Sequence, residues 1–419
     1  MKKVTFAIIG MGNRGTQYAT KQLKFPERME ITAIADNRRI RLDAANKWLK
    51  LPEDRLFDSA ESILKQDKLA DVMIIATQDA LHKKHAIAAM EKGYDLVLEK
   101  PISNRLADVQ EIVEAANRLN RKVVICHVLR YTYFYREIKK VIDSGVLGKI
   151  ESVEMAEHVG YYHIAHSYVR GNWHREETSS PMILAKCCHD MDLILWLTGK
   201  KWEKVSSFGS LDYFTKENCP EGATDRCTDG CPVKDCPYNA PNFYLSRMPG
   251  WPTNILQPEP TEENVMETLR TTNYGRCVFK MDNDVVDHQT LNILLEGGTT
   301  ATFQMNGFNH LQDRTIHLYG TEGELWGNFR GNKVYWQRYN EEPNMIDIEK
   351  LTSEFSGHGG GDTGLIDAVL NFYGGGEVSA DSITTIGRSA ESHYLAFAAE
   401  ESRVQGGRVI TAEEFEKSL

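Results

Sequence analysis

The sequence predicts an α/β protein in two parts: a doubly wound parallel sheet, then a second α/β part on an open, mainly antiparallel sheet. Three observations carry this. Strand-like and helix-like runs alternate from residue 3 to about 125, the pattern of parallel strands joined by crossover helices. The first strand-like run, 4–9, passes straight into Gly10-Met11-Gly12-Asn13-Arg14-Gly15 and then a helix. Beyond Gly148 the period becomes two, in short runs separated by turns such as Glu296-Gly297-Gly298.

The glycine turn is a dinucleotide fingerprint. Gly10 permits a tight turn, Gly12 lets backbone approach a pyrophosphate, and Gly15 lets helix and strand pack closely. The phosphates then lie on free N–H groups at the helix N-terminus. This makes Gly10, Gly12, Asn13, Arg14 and Gly15 cofactor-binding candidates. The next β-like run, 31–35, ends in Asp36, near the offset of ~20 residues at which an acid binds a ribose 2′-hydroxyl. A carboxylate there repels a 2′-phosphate, which favours NAD over NADP. Arg38 and Arg39 follow it and read as a solvated charged turn, although a guanidinium at that place can also hold the phosphate of NADP. Residues 1–125 are thus expected to form a Rossmann domain.

The remaining elements follow in order. A buried strand over 71–76 leads into Thr77, Gln78 and Asp79, and His82 and His85 lie in the next helix. The strand 95–98 ends in Glu99-Lys100-Pro101, at the carboxyl edge where such sheets bind ligands. His127, Arg130 and Tyr131 follow the last strand, 122–126, within reach of a nicotinamide or substrate. After a β-like run over 149–158 comes a segment rich in aromatic and histidine residues, 161–174, and then a helix over 183–197. Two-period runs cover 205–211, 276–281, 286–295, 299–306, 315–319, 325–329 and 333–338, the pattern of an antiparallel meander. Helices are expected over 362–373 and 382–405, with Asp362 as an N-cap after the glycines that flank His358. Residues 212–272 read as a long insertion without the periodicity to bury a core of its own; its length points to function.

At 419 residues the chain is long enough for two cores, and no internal repeat is visible. A formal charge of −10 argues against nucleic acid or an anionic membrane as partner. No apolar run reaches the ~18 residues that span a bilayer, and residues 1–4 lead into the first strand without a signal-peptide pattern. A cytoplasmic location is expected. Of the eight cysteines, Cys219, Cys227, Cys231 and Cys236 are clustered in the insertion. Four thiols there can supply a tetrahedral structural zinc site that staples the segment. They form no C-x-x-C pair, and an iron–sulfur cluster or free thiols are the alternatives.

Taken as an ordered set, these features resemble the glucose–fructose oxidoreductase / inositol dehydrogenase / MocA (Gfo/Idh/MocA) family. The set comprises the glycine turn, Asp36, Ala80-Leu81-His82, Glu99-Lys100-Pro101, Gly145-Val146-Leu147-Gly148-Lys149-Ile150, and His189 with Asp192 ahead of Trp196-Leu197-Thr198-Gly199. The resemblance implies that 126–419 binds substrate and oligomerises, as a homodimer or homotetramer packed through its sheet. It also implies a sugar-like or polyol substrate. Lys100 matches the family's catalytic lysine and His189 its active-site histidine, both suited to proton transfer. Thr77, His82, Glu99, Lys100 and Arg130 fall where cofactor contacts are expected. His127, Tyr161, His163, His166, Trp173, His174, Arg175, Asp192 and His358 fall where the family meets substrate. The sequence departs from the pattern in one place: Ala185 stands where the family has an Asp, with Lys186 beside it as a possible second catalytic cation. The expected activity is hydride transfer to or from a secondary hydroxyl with NAD. The alternative is a redox-neutral glycosidase that oxidises, eliminates and returns the hydride.

Overall fold

The computed structural model describes residues 1–378 and 382–417. The first sheet has six parallel strands, β1 (Val4–Ile9), β2 (Met29–Ala35), β3 (Leu56–Phe57), β4 (Val72–Ile75), β5 (Asp95–Leu98) and β6 (Val123–Ile125), in the order β3-β2-β1-β4-β5-β6. The winding reverses between β1 and β4, which opens a crevice at their carboxyl ends. These strands read as unbroken apolar runs because both faces are covered. Phe6, Ile8, Ile74 and Val97 pack to one side, and Ala7, Ile9, Met73, Ile75 and Leu98 to the other.

Part of that cover comes from the far end of the chain. The helix Gly361–Tyr373 lays Leu365, Ile366, Val369 and Leu370 on the first side. The helix Ile386–Val404 lends Ile386 and Ala390 to the other side and Leu395, Ala396, Ala398 and Ala399 to the core of the second sheet. One helix therefore joins the two cores.

The second sheet holds β7 (Ile150–Gly160), β8 (Trp202–Ser210), β9 (His288–Leu295), β10 (Thr300–Asn309), β11 (Asp313–Gly320), β12 (Gly323–Asn328), β13 (Lys333–Arg338), β14 (Asn344–Asp347) and β15 (Ile410–Thr411). Their order is β14-β13-β12-β11-β7-β10-β9-β8-β15. The sheet is mostly antiparallel, as expected, but β7 and β10 run parallel at its centre. The long chain between them gives room for the crossover that a parallel pair needs.

Three local expectations are corrected, and one segment without an assigned element takes a helical form. Residues 276–281 form a turn, with a single helical turn at Val278–Lys280, and the successive burial of Cys277, Val278 and Phe279 departs from the alternation of a strand with one open face. The segment 161–174 begins as one continuous helical stretch, Tyr161–Ile164 running into Ala165–Val169. The helix expected over 183–197 is broken into Met182–Ala185 and Cys188–Thr198. In an unbroken helix the Ala185 carbonyl would accept from the backbone N–H of His189; here it accepts from the Lys100 ammonium at 2.6 Å. Finally, the insertion does bury a core. Its helices Ala240–Leu245, Thr253–Leu256 and Glu262–Thr271 enclose Phe243, Tyr244, Leu256, Val265 and Leu269. The longest of them is fixed by a capping box between Thr261 and Asn264.

Candidate active site

The glycine turn has the shape of a dinucleotide cradle. Gly10 has φ +96°, and a Cβ on it would lie 2.5 Å from the Ala76 carbonyl oxygen. A Cβ on Gly15 would lie 1.9 Å from the carbonyl oxygen of Gly10, so neither position admits another residue. The helix begins at Asn13, earlier than expected, with Gly12 as its N-cap and no side chain capping its free N–H groups. Those donors are open to a phosphate. Asp36 is buried and accepts from the N–H of Met11 and of Arg38, both at 2.8 Å. The arginine that approaches its carboxylate is Arg41, at 3.4 Å, while Arg39 pairs with Asp43 and Glu53.

The side chain of Arg14 is engaged within the protein. It binds Glu99 at 2.8 Å, both oxygens of Asp362, and the Tyr18 hydroxyl. Asp362 is therefore an ion-pair partner, and Gly360 is the N-cap in its place. Burial alone would raise both carboxyls; for Glu99 the charges of Arg14 and Lys100, and for Asp362 those of Arg14 and His358, hold them below the usual range. The cluster pins the end of β5 and with it Lys100. His82 helps from the other side, its Nδ1 facing the Pro101 carbonyl at 2.8 Å and its Nε2 that of Thr77 at 3.1 Å. The Thr77 hydroxyl meets His85.

Lys100 reaches the break between the two helices, ahead of the one that carries His189. Burial, and then the charge of Lys100, push the His189 imidazole well below its ordinary pKa, so it is neutral near pH 7. Its Nδ1 is buried with no hydrogen-bond partner among the described residues, and the same holds for both nitrogens of His127. The rings of His189 and His127 stand 5.7 Å apart edge to face, and His358 lies 6.2 Å from His189. Orphaned buried imidazole nitrogens await a partner, and a hydroxylated ligand is one. Asp192 gives both oxygens to Arg130, at 2.5 Å each.

Lys186 is buried and pairs with Glu157 at 3.3 Å. Glu157 also holds Arg314 at 2.5 Å, and Arg314 binds Asp190 at 2.7 Å. Burial lowers the Lys186 ammonium while Glu157 works against it. This chain of four charges was not legible in advance, because Glu157 and Arg314 lie on two different strands of the second sheet.

The aromatic and histidine segment divides. His163 meets Gln312 at 2.8 Å and the indole of Trp251 at 4.9 Å between ring centres. Its imidazole is held well below its ordinary pKa by burial and then by Lys186. His166 bonds the Tyr244 hydroxyl at 2.8 Å under the insertion. Tyr161 stacks on His310. The Trp173 indole donates to Asp79, which Ser180 also holds. His174 and Arg175 lie apart from these, beside Asp282. Trp251, Gln312 and Asp79 were missed; only their place in loops of mixed polarity marked them.

Cys227, Cys231 and Cys236, with the unforeseen Cys277, line a cavity of about 20 Å³, and Cys219 lies on an adjoining cleft. Among the described residues no three His, Cys, Asp or Glu side chains are placed to hold a metal ion. Arg170 staples the segment: its guanidinium donates to the carbonyls of Arg276 and Tyr238, each at 2.7 Å, and meets the Cys227 sulfur at 3.5 Å.

Residues 4–127 match the oxidoreductase family, NAD-binding Rossmann fold, and residues 135–228 match the GFO/IDH/MocA C-terminal domain. The chain belongs to the Gfo/Idh/MocA family of oxidoreductases. YteT of Bacillus subtilis (strain 168), an oxidoreductase by name, is 25% identical over 88% of each chain. The 2,7-anhydro-N-acetylneuraminate hydratase of Mediterraneibacter gnavus is 27% identical, over 50% of this chain and 53% of its own. Among solved structures, the WlbA dehydrogenase of Bordetella pertussis, in complex with NADH and UDP-GlcNAcA, superposes with a TM-score of 0.71 at 18% identity over 98% of each chain. No helix among the described residues is long and apolar enough to cross a membrane.

Proposed function

We propose that this oxidoreductase uses NAD to move a hydride to or from a secondary hydroxyl of a sugar, sugar derivative or polyol, with Lys100 and His189 as proton-transfer groups. The observation that carries the reading is the Lys100 ammonium on the Ala185 carbonyl, at the break that leads into the helix of His189, beyond the end of β5. When bound, NAD supplies the hydride acceptor. Lys100 presents its ammonium to the substrate oxygen and favours the alkoxide as it forms. His189, neutral through burial, takes the hydroxyl proton and returns it in the reverse direction. Lys186 offers a second cation for another substrate oxygen. Asp36 selects NAD over NADP through its contact with a 2′-hydroxyl. The part-exposed ring stack of Trp326 on Tyr335 supports oligomerisation through the second sheet.

A second reading, redox-neutral cleavage with the hydride returned, draws on the relative named as a hydratase. One experiment separates the two. Sugars, polyols and p-nitrophenyl glycosides are screened against the purified protein, with NADH and released phenol read in parallel. NADH formed in step with substrate consumed supports the dehydrogenase. Phenol released without NADH supports the cleavage reading. Neither signal across the panel, with NAD bound, removes both.

A further inference from the structure

A chain of contacts leads from Lys100 to a band of part-exposed rings that the reaction above leaves without a role. Lys100 rests on the carbonyl of Ala185, next in sequence to Lys186, and Lys186 is held by Glu157 at 3.3 Å. Glu157 on β7 lies opposite Arg314 on β11, which binds it at 2.5 Å. Two residues before Arg314, Gln312 meets His163 at 2.8 Å. His163, three residues past the end of β7, is thus tied to the same strand ends that hold Lys186. Two residues of extended chain advance about 7 Å, room for a further sugar unit beyond the ion pair.

From His163 the rings run outward. The Trp251 indole, of the insertion, stands 4.9 Å from His163 and 6.2 Å from Tyr162. Tyr162 meets Tyr161 at 5.6 Å, and Tyr161 stacks on His310 at 6.3 Å and 20°. Arg247 backs Tyr162, 5.2 Å from its ring centre. Trp251 is 36% exposed, His310 is exposed, and both tyrosines are part-exposed. Among the described residues the hydroxyls of Tyr161 and Tyr162 and the ring nitrogens of His310 make no hydrogen bond. Rings with open polar edges suit a sugar, whose C–H face lies on a ring while its hydroxyls meet the edges.

We propose that Trp251, Tyr161, Tyr162 and His310 form a second sugar subsite, so that the substrate is a saccharide of two or more units, bound between the insertion, the end of β7 and the loop that joins β10 to β11. This rests on the reading that places the reacting sugar at Lys100 and Lys186. It gives the insertion the task of choosing substrate length.

The test is calorimetric titration of a panel of monosaccharides, and of disaccharides built from them, into the purified full chain with NAD present. It is run on the wild type, Trp251→Ala and Trp251→Phe, with NADH read on the same panel. At least one disaccharide is expected to bind roughly tenfold or more tightly than its monosaccharide. In Trp251→Ala that ratio is expected to fall about tenfold, and in Trp251→Phe, which keeps a ring, to stay within about threefold of the wild type. A ratio in Trp251→Ala within about twofold of the wild type overturns the proposal. A changed oligomeric state in that variant assigns the face to a second copy and also overturns it. Hydrogen exchange on the wild type covers the case in which the alanine variant fails to fold. The disaccharide slows exchange at residues 160–163 and 249–252 if the subsite exists, and no slowing there overturns it. NADH formed from a monosaccharide with no gain from a second unit removes the subsite alone. Disaccharide binding that depends on Trp251, without NADH, keeps the subsite and removes the hydride reading. A panel in which nothing binds removes both.

Discussion

Two arginines, Arg14 part-buried and Arg170 fully buried, fix different regions of this molecule in opposite ways. Arg14, in the glycine turn, binds the carboxylates of Glu99 and Asp362, so its charge is matched and its partners lie 85 and 348 residues away. Arg170, beneath the insertion, binds two backbone carbonyls and a thiol, and none of its hydrogen-bond partners is an acid. The first domain is a frame locked by ion pairs around the chemistry. The insertion is a cap laced by neutral acceptors. That difference predicts where each half is vulnerable.

Acid is expected to strike hardest, through the histidines. Burial pushes His127 down to about 4, and His166 and His393 down to about 3. Their unfolded pKa is about 6.5. Below that value the unfolded chain binds protons that the folded one refuses, so stability is fully present above pH ~6.5 and falls as pH drops toward ~4. Three such groups give a slope of roughly 4 kcal/mol per pH unit in the middle of that window. Melting temperature followed from pH 7 to 4.5 checks it. The carboxylates held down by Arg14 contribute only below about pH 4, so a profile flat to pH 4.5 would show that the buried histidines do not set the acid limit.

Arg14→Met tests the frame. It leaves Glu99 and Asp362 buried without their guanidinium, a loss of about 3–5 kcal/mol. Denaturant unfolding measures it, and a loss below about 1 kcal/mol would show that the pair is not what locks β5. Lys100→Met tests the chemistry at the edge of that frame. Turnover is expected to fall ~10²-fold or more with NAD affinity nearly unchanged. Near-full activity on the true substrate would remove Lys100 from proton transfer.

The same contrast explains what could be read in advance. In the first domain, residue type follows from backbone geometry. Gly10 and Gly15 have no room for a Cβ, Asp36 closes a strand at a fixed offset, and alternating runs impose the parallel sheet. The second sheet was legible by its period, apart from the parallel pair at its centre, since period does not reveal direction. In the insertion the helices are 4 to 10 residues long and end in caps and side chain–backbone bonds, too short for a period to show. Arg170, Trp251 and the Glu157–Arg314 pair gain their roles from residues distant in sequence, so one chain read alone gives no sign of them. The cysteines drew attention by type; in the structure Cys227, Cys231, Cys236 and Cys277 line one cavity together with Arg170, Val278 and Phe279.

The mildest expected effect belongs to Arg170→Met. Methionine fills much of the arginine stem's volume and removes a buried charge with no acidic hydrogen-bond partner, which offsets part of the loss. What remains is the cost of leaving the Arg276 and Tyr238 carbonyls without donors, about 1–3 kcal/mol. Because the insertion has its own core around Tyr244, Val265 and Leu269, the loss should stay there. Hydrogen exchange at residues 240–280 is expected to quicken about fivefold or more, since ~1 kcal/mol is a factor of about five, while amides of β1, β4 and β5 keep their rates. Equal quickening in both halves would show that the cap and the frame open as one unit, and that the contrast between the two arginines is one of chemistry alone.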